Sequence, residues 1–255
     1  MVGNKNIHWE VAWKQNYAVD LTLFDDLDLT FDYFIEDRSD ILIERNTVPA
    51  ISGLTSSQLP RVNMGEIKNK GYEITLDYNT DITRDLNINF GGNFSYARNK
   101  VISADEAVLS SDYAYRYRET GFSLGQNWGY IIDHTVDPEH GKDGSGFFNS
   151  KEDVINSGLT YETGGGIPQP GDFIYKDLNG DHIINEKDMA PIKYSSLVPR
   201  ISYGFHIGAS YKGFDFSVMF QGVGQYSKYY SGRGIFEEEG SKYYLDICDN
   251  RWNEA

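Results

Sequence analysis

Cysteine and basic residues are scarce in this sequence. The chain has one cysteine, Cys248, among 255 residues, so it cannot form an internal disulfide or supply a cysteine-rich zinc site. It has 23 Lys and Arg against 38 Asp and Glu, which gives a net charge of -15 at pH 7. Because a surface of this sign repels a phosphate backbone, we expect no nucleic acid among the partners.

Long apolar stretches are also missing. No run of about eighteen apolar residues occurs, which excludes a membrane-spanning helix. Residues 1–20 lack the basic start and the continuous apolar stretch of a secretory signal. A membrane-spanning strand is compatible with the sequence, because the strands of a membrane barrel alternate between their two faces and are only mildly hydrophobic on average.

Sequence motifs for catalysis are absent as well. The five histidines show no paired metal-binding spacing, and no serine occupies a nucleophile elbow. The glycines at 164–166 precede no strand-to-helix phosphate loop. Asp25 and Asp26 fit a turn better than a catalytic carboxylate pair. We therefore expect that the chain is not an enzyme.

What the sequence does contain is strand-like alternation. Between residues 201 and 211, apolar side chains, all large except Ala209, occupy every second position, and small or polar ones occupy the rest. Residues 27–35 and 86–96 follow the same pattern, and segments of this length suit the tilted strands of a membrane barrel. Together with four shorter runs, the pattern predicts seven strands. The shorter runs are residues 9–13, 19–23, 72–78 and 214–220.

The connections between these strands alternate between short and long. Outer-membrane barrels combine short periplasmic turns with long extracellular loops, so this alternation favours a barrel. The connection at residues 14–18 is an exception, because it is short where a long one is expected. Short turns are predicted at residues 25–26, 79–85 and 212–213, and long connections at 36–71 and 97–200.

We therefore predict an all-β protein, an antiparallel transmembrane β-barrel segment with long extracellular loops. Its strands are expected near residues 8–37, 70–97 and 199–224, with a long outer loop at 98–198 and a truncated loop at 225–255. A plugged transporter barrel takes about 22 strands, so we expect these seven or eight strands to be part of a larger barrel.

Two alternatives stay open. An eighth strand hidden near residues 128–132 would allow an independent eight-stranded barrel. A soluble or surface β-sandwich that binds carbohydrate would use tyrosines stacked on sugar rings and calcium to brace a loop. The aromatic content of 15% fits both aromatic girdles and ordinary strands. The apolar rows distinguish the two, because they face outward in a barrel and pack against a second sheet in a sandwich.

A run of twelve residues carries a family resemblance. Residues 62–73, Val-Asn-Met-Gly-Glu-Ile-Lys-Asn-Lys-Gly-Tyr-Glu, resemble the signature that enters a late barrel strand of SusC/RagA-like TonB-dependent transporters. Further motifs similar to that family follow its order and span nearly the whole chain. They are Trp9-Glu10, Asp32-Tyr33-Phe34, Asp40-Ile41-Leu42-Ile43, Val48-Pro49, Gly129-Tyr130, Pro170-Gly171-Asp172, residues 175–181, Tyr203-Gly204-Phe205 and residues 211–215.

The resemblance implies a function and a set of partners. It implies an outer-membrane importer of the Bacteroidetes lineage, which draws energy from the TonB complex and works with a SusD-like surface lipoprotein. The cargo would be a polar nutrient, an oligosaccharide or a peptide, and outer-membrane lipid would surround the barrel. The family's signal sequence, TonB-contacting segment, plug domain and terminal aromatic strand have no counterpart in the sequence. We therefore expect a barrel fragment that transports nothing by itself.

A twelve-residue loop, residues 177–188, has the spacing of an EF-hand-type calcium site. Oxygen donors stand at loop positions 1, 3, 5, 9 and 12, and calcium binds several such oxygens at about 2.3–2.6 Å. Two positions depart from the pattern: His182 stands where glycine is usual, and position 12 is the shorter Asp188. A polar turn with solvated acids is the alternative. We predict a structural calcium ion held by the side chains of Asp177, Asn179, Asp181, Asn185 and Asp188 and by the carbonyl of Ile183.

Overall fold

The alternating segments of the sequence form β-strands. The computed structural model describes residues 3–45, 47, 53, 58–106, 118–162 and 166–229. Within these residues no helix is long and apolar enough to cross a membrane. In chain order the elements are β1 (Val11–Leu23), β2 (Leu27–Ile43), β3 (Val62–Thr83), β4 (Leu86–Ser103), β5 (Gln126–Gly129), β6 (Val136–Asp137), β7 (Lys142–Asp143), α1 (Lys151–Ser157), β8 (Thr160–Tyr161), β9 (Ile183–Ile184), β10 (Ala190–Ser195), β11 (Ile201–Tyr211) and β12 (Phe214–Gly224), with 3-10 turns at Pro138–His140 and Glu186–Asp188.

Six long strands make up the main sheet, in the antiparallel order β1-β2-β3-β4-β11-β12. Tight turns at residues 24–26, 84–85 and 212–213 join its hairpins at one end, and the long connections lie at the other. Lys212 and Gly213 have φ angles of 48° and 87°, which is the left-handed conformation that two-residue hairpin turns require. The predicted alternation of short turns and long connections is confirmed.

The prediction of two separate strands before residue 24 is wrong. Residues 9–13 and 19–23 were expected to be separated by a connection at 14–18, but a single strand, β1, runs through most of this segment. Its pairing with β2 is unbroken from Val11 opposite Ser39 to Leu23 opposite Leu27. The polar residues Lys14, Gln15 and Asn16 interrupt the alternation, although they continue the strand. The main sheet therefore has six strands, and the exception to the loop pattern disappears.

The strands are longer than predicted at the end that carries the long connections. β2 extends to Ile43, β3 begins at Val62 and β4 extends to Ser103. At about 3.3 Å per residue and a tilt of about 40°, the 22 residues of β3 rise roughly 55 Å, about twice the apolar height of a membrane barrel. Water meets both faces of a strand beyond the bilayer, so apolar alternation is not needed there. The outer connection therefore spans residues 104–200 and not 98–198.

The register of the main sheet separates an apolar face from a polar one. One rung runs from Tyr33 through Tyr72 and Tyr96 to Ile201, and the next positions on each strand give the rung Asp32, Glu73, Ser95 and Ser202 on the opposite side. Large side chains of the apolar face are exposed, including Phe205 at 50% and Ile207 at 52%. Further rungs of this face are Val19-Phe31-Ile74-Phe94-Tyr203 and Leu23-Leu27-Tyr78-Phe90-Ile207.

Neither alternative architecture agrees with this sheet. The other described sheets have only two strands each, so no second large sheet exists among the described residues for a β-sandwich. The segment near residues 128–132 contributes β5, a four-residue strand that pairs with β10 and does not join the main sheet. The main sheet has two edges, β1 and β12, and is not closed. The structure is an open antiparallel β-barrel segment.

A second compact unit includes residues 127–192 of the long outer connection. Its elements are two to seven residues long, and its core is made of side chains from loops as well as from α1 and β9. α1 begins with a capping box, in which Ser150 and Asp153 each accept a backbone N–H of the other. The core residues are Phe148, Val154, Leu159, Ile174 and Ile184, against which Tyr130, Tyr161 and Tyr175 pack.

Several sequence predictions lie outside the described residues. These are the truncated loop from residue 230 onward, including Cys248, and the motif Val48-Pro49. Gly164 and Gly165 also lie outside them.

Candidate functional site: a polar wall and an outer loop

The polar face of the main sheet carries mostly hydrogen-bonding side chains, although Phe34, Met219 and Val223 also belong to it. Its β1, β2 and β3 part carries carboxylates, several of which accept hydrogen bonds from neighbouring strands: Thr30 donates to Asp20 at 2.7 Å, and Ser95 donates to Glu73 at 3.1 Å. Its β4, β11 and β12 part carries mainly amides and hydroxyls. We call this surface the polar wall: Asp20, Asp28, Asp32, Glu73, Thr75, Asp77, Asn89, Asn93, Ser95, Ser202, His206 and Gln221.

A hollow in the polar wall lies at Gly204 of β11, and Gly91 of β4 is next to it. Gly91 of β4 lies between Asp77 of β3 and His206 of β11 in the register. A Cβ atom on Gly91 would stand 2.2 Å from Asp77 Oδ1 and 2.5 Å from His206 Cε1, so these two side chains lean over the glycine and lie within about 5 Å of each other. One rung away, Gly204 lies between Asn93 and Gln221.

The hollow has a volume of about 610 Å³ and is lined by four adjacent strands, β3, β4, β11 and β12. Its position on the polar side, opposite the exposed apolar rows, agrees with the inside of a curved barrel sheet. Amide, hydroxyl and carboxylate groups around such a hollow can exchange hydrogen bonds with a polar solute in place of water. His206 lies on this wall, as the sequence pattern predicts for a polar position of β11.

The loop at residues 177–188 begins with a turn around Asp177. Asp177 accepts a hydrogen bond from Gly180 N at 2.7 Å and another from His182 N at 2.8 Å, which folds the chain around its carboxylate. His182 has a φ of 62°, so it adopts the left-handed conformation that glycine usually supplies at this position. The hydrogen bond from Ile183 N holds the pKa of Asp181 below its ordinary value.

The middle of the loop is held by the short parallel strands β8 and β9. His182 O and Ile184 O accept hydrogen bonds from Thr160 N and Glu162 N at 3.0 and 3.1 Å. Since carbonyls alternate along a strand, the Ile183 carbonyl points away from β8. The Ile184 side chain is buried in the core of the unit.

The end of the loop departs from the predicted ligand set. Asp188 is fully buried. Its two carboxylate oxygens accept hydrogen bonds from Leu178 N at 2.8 Å and from Asn185 N at 2.9 Å. It therefore closes the loop by binding backbone amides. Among the described residues, no three His, Cys, Asp or Glu side chains converge as metal ligands, although Asn179, Asn185 and the Ile183 carbonyl would supply half of the predicted set. The calcium site stays a prediction.

Two features of the second unit have no sequence signal. The Lys142 ammonium donates a hydrogen bond to the Asp133 carboxylate at 2.8 Å, forming an ion pair in which the Asp133 side chain is only 8% exposed. Burial opposes ionisation of Asp133, but the hydrogen bonds from Lys142 and Thr135 outweigh it and lower its pKa. Burial raises the pKa of Tyr161 to about 12, and its hydroxyl donates to Phe173 O at 2.5 Å. Neither contact belongs to a recurring sequence motif, so no pattern in the sequence predicted them.

The family follows from a match over almost the whole chain. Residues 1–251 match the family described as TonB dependent receptor-like, beta-barrel. The chain belongs to that family. Curated relatives from Formosa agariphila agree: TonB-dependent receptor P3 is 27% identical over 228 residues, and TonB-dependent receptor P26 is 30% identical over 222 residues. Each alignment covers 86% of this chain and 21% of the relative, so the chain spans about one fifth of these receptors.

Solved structures show the same fold for this TonB-dependent receptor barrel. The structure titled RagAB peptide transporter superimposes with a TM-score of 0.59 at 21% identity, covering 88% of this chain and 22% of the other. The RagAB peptide importer in the "closed-closed" state gives a TM-score of 0.58 at 21% identity, with 89% and 22% covered. The SusC/RagA-like resemblance seen in the sequence and the transmembrane β-barrel fold are confirmed.

Proposed function

We propose that the chain forms part of the wall of an outer-membrane importer for polar nutrients. The observation that carries this proposal is the division of one sheet into an exposed apolar face, suited to lipid, and the polar wall, suited to a wet interior. Membership of the TonB-dependent receptor family supports an outer-membrane location and a role in uptake. Such a wall separates hydrocarbon from a water-filled passage, and its polar groups replace the water that cargo loses.

The proposed cargo is an oligosaccharide or a peptide. Similarity to a protein titled a peptide importer supports this class, and both kinds of cargo offer the hydroxyl and amide groups that Asn93, Ser202 and Gln221 can bind. Import would draw energy from the TonB complex and would involve a SusD-like surface lipoprotein. The host would be a Gram-negative, Bacteroidetes-like bacterium.

The test uses the complete transporter, produced in a strain without its own copy. The double substitution Asn93→Leu and Gln221→Leu removes the two amides that flank Gly204 in the hollow. Each lost hydrogen bond contributes about 0.5–1.5 kcal/mol, so we expect uptake of labelled oligosaccharide or peptide mixtures to fall about tenfold at an unchanged surface amount. Uptake assays with quantified surface protein provide the measurement.

The matched control is Gln15→Leu, which makes the same change on the outward side of β1. This variant is expected to import normally, because its side chain does not border the passage. Equal uptake by the wall variant and the control would contradict the polar wall as a cargo surface. A wild-type strain that takes up neither class of cargo would contradict import itself.

A further inference from the structure

Four cations stand together on two adjacent strands of the main sheet. They are Lys68 and Lys70 of β3 and Arg98 and Lys100 of β4, and all four are exposed. The register places Lys70 opposite Arg98 and Lys68 opposite Lys100. Paired side chains on neighbouring strands have Cβ atoms about 5 Å apart, so the four charges form a compact square. We call this square the basic patch.

The basic patch belongs to the outward face of the sheet. Lys68 and Lys70 share the alternation of Tyr72 and Ile74, and no register shift separates them from these residues. Arg98 and Lys100 share the alternation of Tyr96 and Phe94 in the same way. The patch therefore continues the exposed apolar rows toward the end of the sheet that carries the long connections. It lies on the opposite side from the polar wall.

The height of the patch matches a lipid headgroup region. Tyr72 and Tyr96 form the outermost aromatic rung of these two strands, and the cations occupy the next two rungs. Each rung advances two residues, which is roughly 5 Å along the axis of a barrel with strands tilted about 40°. The cations thus lie about 5 and 10 Å beyond the tyrosines, and headgroups extend about 5–8 Å beyond the hydrocarbon.

The charges of the patch are not balanced by the chain. Like charges directly opposite each other on neighbouring strands destabilise a sheet. Lys68 has a carboxylate partner, Asp37 at 3.3 Å, whereas Lys70, Arg98 and Lys100 form no ion pair with the described residues. Glu66 lies farther out, beyond a register shift. In a chain with a net charge of -15, this cluster is a site where a bound anion would relieve repulsion.

We propose that the basic patch binds the phosphate groups of an outer-leaflet lipid, whose acyl chains lie against Ile74 and Phe94. The four positive charges favour an anionic group such as phosphate. Because the patch adjoins the exposed apolar rows, an amphiphile fits it better than a free ion. Arg98 can bind one phosphate through two N–H groups, and the lysines add point charges around it. The lipid would hold the extended part of β3 and β4 at the membrane surface. This inference rests on the proposed outer-membrane placement, but not on transport.

The test measures lipid binding to the complete protein purified in uncharged detergent. The probes are lipid A with both phosphates and the same lipid A after removal of both phosphates. Native mass spectrometry and the shift in melting temperature report binding. Each cation near an anionic headgroup contributes roughly fivefold, so the wild type is expected to bind the phosphorylated form at least about tenfold more tightly. K68Q/K70Q/R98Q/K100Q is expected to lose that preference.

The matched control removes four exposed cations elsewhere, as K5Q/K151Q/K193Q/K212Q, and is expected to keep the preference. If the patch variant does not fold, the salt dependence of the wild type tests the proposal instead. High salt is expected to weaken the preference of the wild type for the phosphorylated lipid, and an unchanged preference would contradict the proposal. Equal binding of the two lipids by the wild type would overturn the proposal, as would an unchanged preference in the patch variant. Stabilisation by inorganic phosphate alone, equal to that by the lipid, would overturn it too. Import assays on the same proteins report separately on the proposed transport function.

Discussion

The main sheet and the unit of residues 127–192 differ most in where their large apolar side chains lie. In the sheet, Phe205, Phe216 and Phe220 are 50%, 65% and 52% exposed. In the second unit, Phe148 and Ile174 are buried almost completely. Six of the seven buried hydrophobic residues in the described part of the chain belong to that unit: Phe148, Val154, Leu159, Ile174, Ile184 and Ala190.

This difference shows that the two regions are built for different solvents. Strand pairing satisfies the backbone hydrogen bonds of the sheet, and the apolar rows are left to contact lipid. Inter-strand hydrogen bonds and the surrounding membrane therefore stabilise the sheet. The second unit has little regular structure and encloses its own core, as a water-soluble domain does. Substitutions of the same kind should therefore differ in the size of their effect between the two regions.

The largest effect is expected from Phe148→Ala in the second unit. Phe148 is fully buried, and truncation of a buried phenylalanine costs about 3–5 kcal/mol. We expect faster amide hydrogen exchange throughout residues 127–192 of the complete protein in detergent. The matched substitution Phe205→Ala, on the outward face of β11, should change exchange in the sheet far less. Equal protection of residues 127–192 in the wild type and Phe148→Ala would show that this core does not hold the unit together.

A charge on the lipid side of the sheet should have the next largest effect. Ile207→Lys places an ammonium near the middle of the apolar rows, where a barrel loses about 2–4 kcal/mol. His206→Lys adds the same side chain one residue away, on the polar wall, and should cost little. Denaturant titration of the complete protein in lipid vesicles measures both. If the two variants lose equal stability, the assignment of the two faces is wrong.

The Asp133–Lys142 ion pair should make the second unit sensitive to acid. The pKa of Asp133 is lowered in the folded state, so its contribution is present above the unfolded carboxyl pKa of about 3.9 and is lost as the pH falls through the folded pKa. Asp133→Asn is expected to cost about 2 kcal/mol at pH 7, because hydrogen bonds to charged groups contribute about 1.5–3 kcal/mol. Melting curves from pH 7 down to pH 3 should show the gap between wild type and variant closing. A gap that stays constant with pH would rule out an ionic origin.

Strand bounds could be predicted from the sequence only where the strand lies within the apolar rows. β11 lies within the apolar rows, and its predicted bounds agree with the structure because every second side chain must meet lipid. Beyond those rows, β3 carries Lys68 and Lys70 on its outward face, so the pattern ended at Tyr72 although the strand begins at Val62. Strand length outside the membrane is set by pairing between strands, which a single alternating segment does not reveal.

The core of the second unit and the contacts on the polar wall could not be predicted from the sequence. The core of Phe148, Ile174 and Ile184 joins elements too short for any periodicity, so the sequence predicted only a long loop there. The approach of Asp77 and His206 over Gly91 depends on the register of three strands, which alternation alone leaves undetermined. In contrast, the turn around Asp177 joins groups only three to five residues apart.

Calcium should have the smallest effect on stability, and this effect should depend on residues 177–188 and not on the rest of the unit. Extracellular calcium modules bind at about 0.1–1 mM, so 1 mM calcium should stabilise the unit by about 0.4–1.4 kcal/mol if residues 177–188 hold the ion. Asp181→Asn is the sharpest variant, because this carboxylate is exposed and serves only the loop, whereas Asp188 also braces buried amides. We expect this variant to lose the calcium-dependent rise in melting temperature, while Asp143→Asn outside the loop keeps it. An equal rise with magnesium, or the same rise in Asp181→Asn, would mean that the loop is a polar turn closed by Asp188 alone.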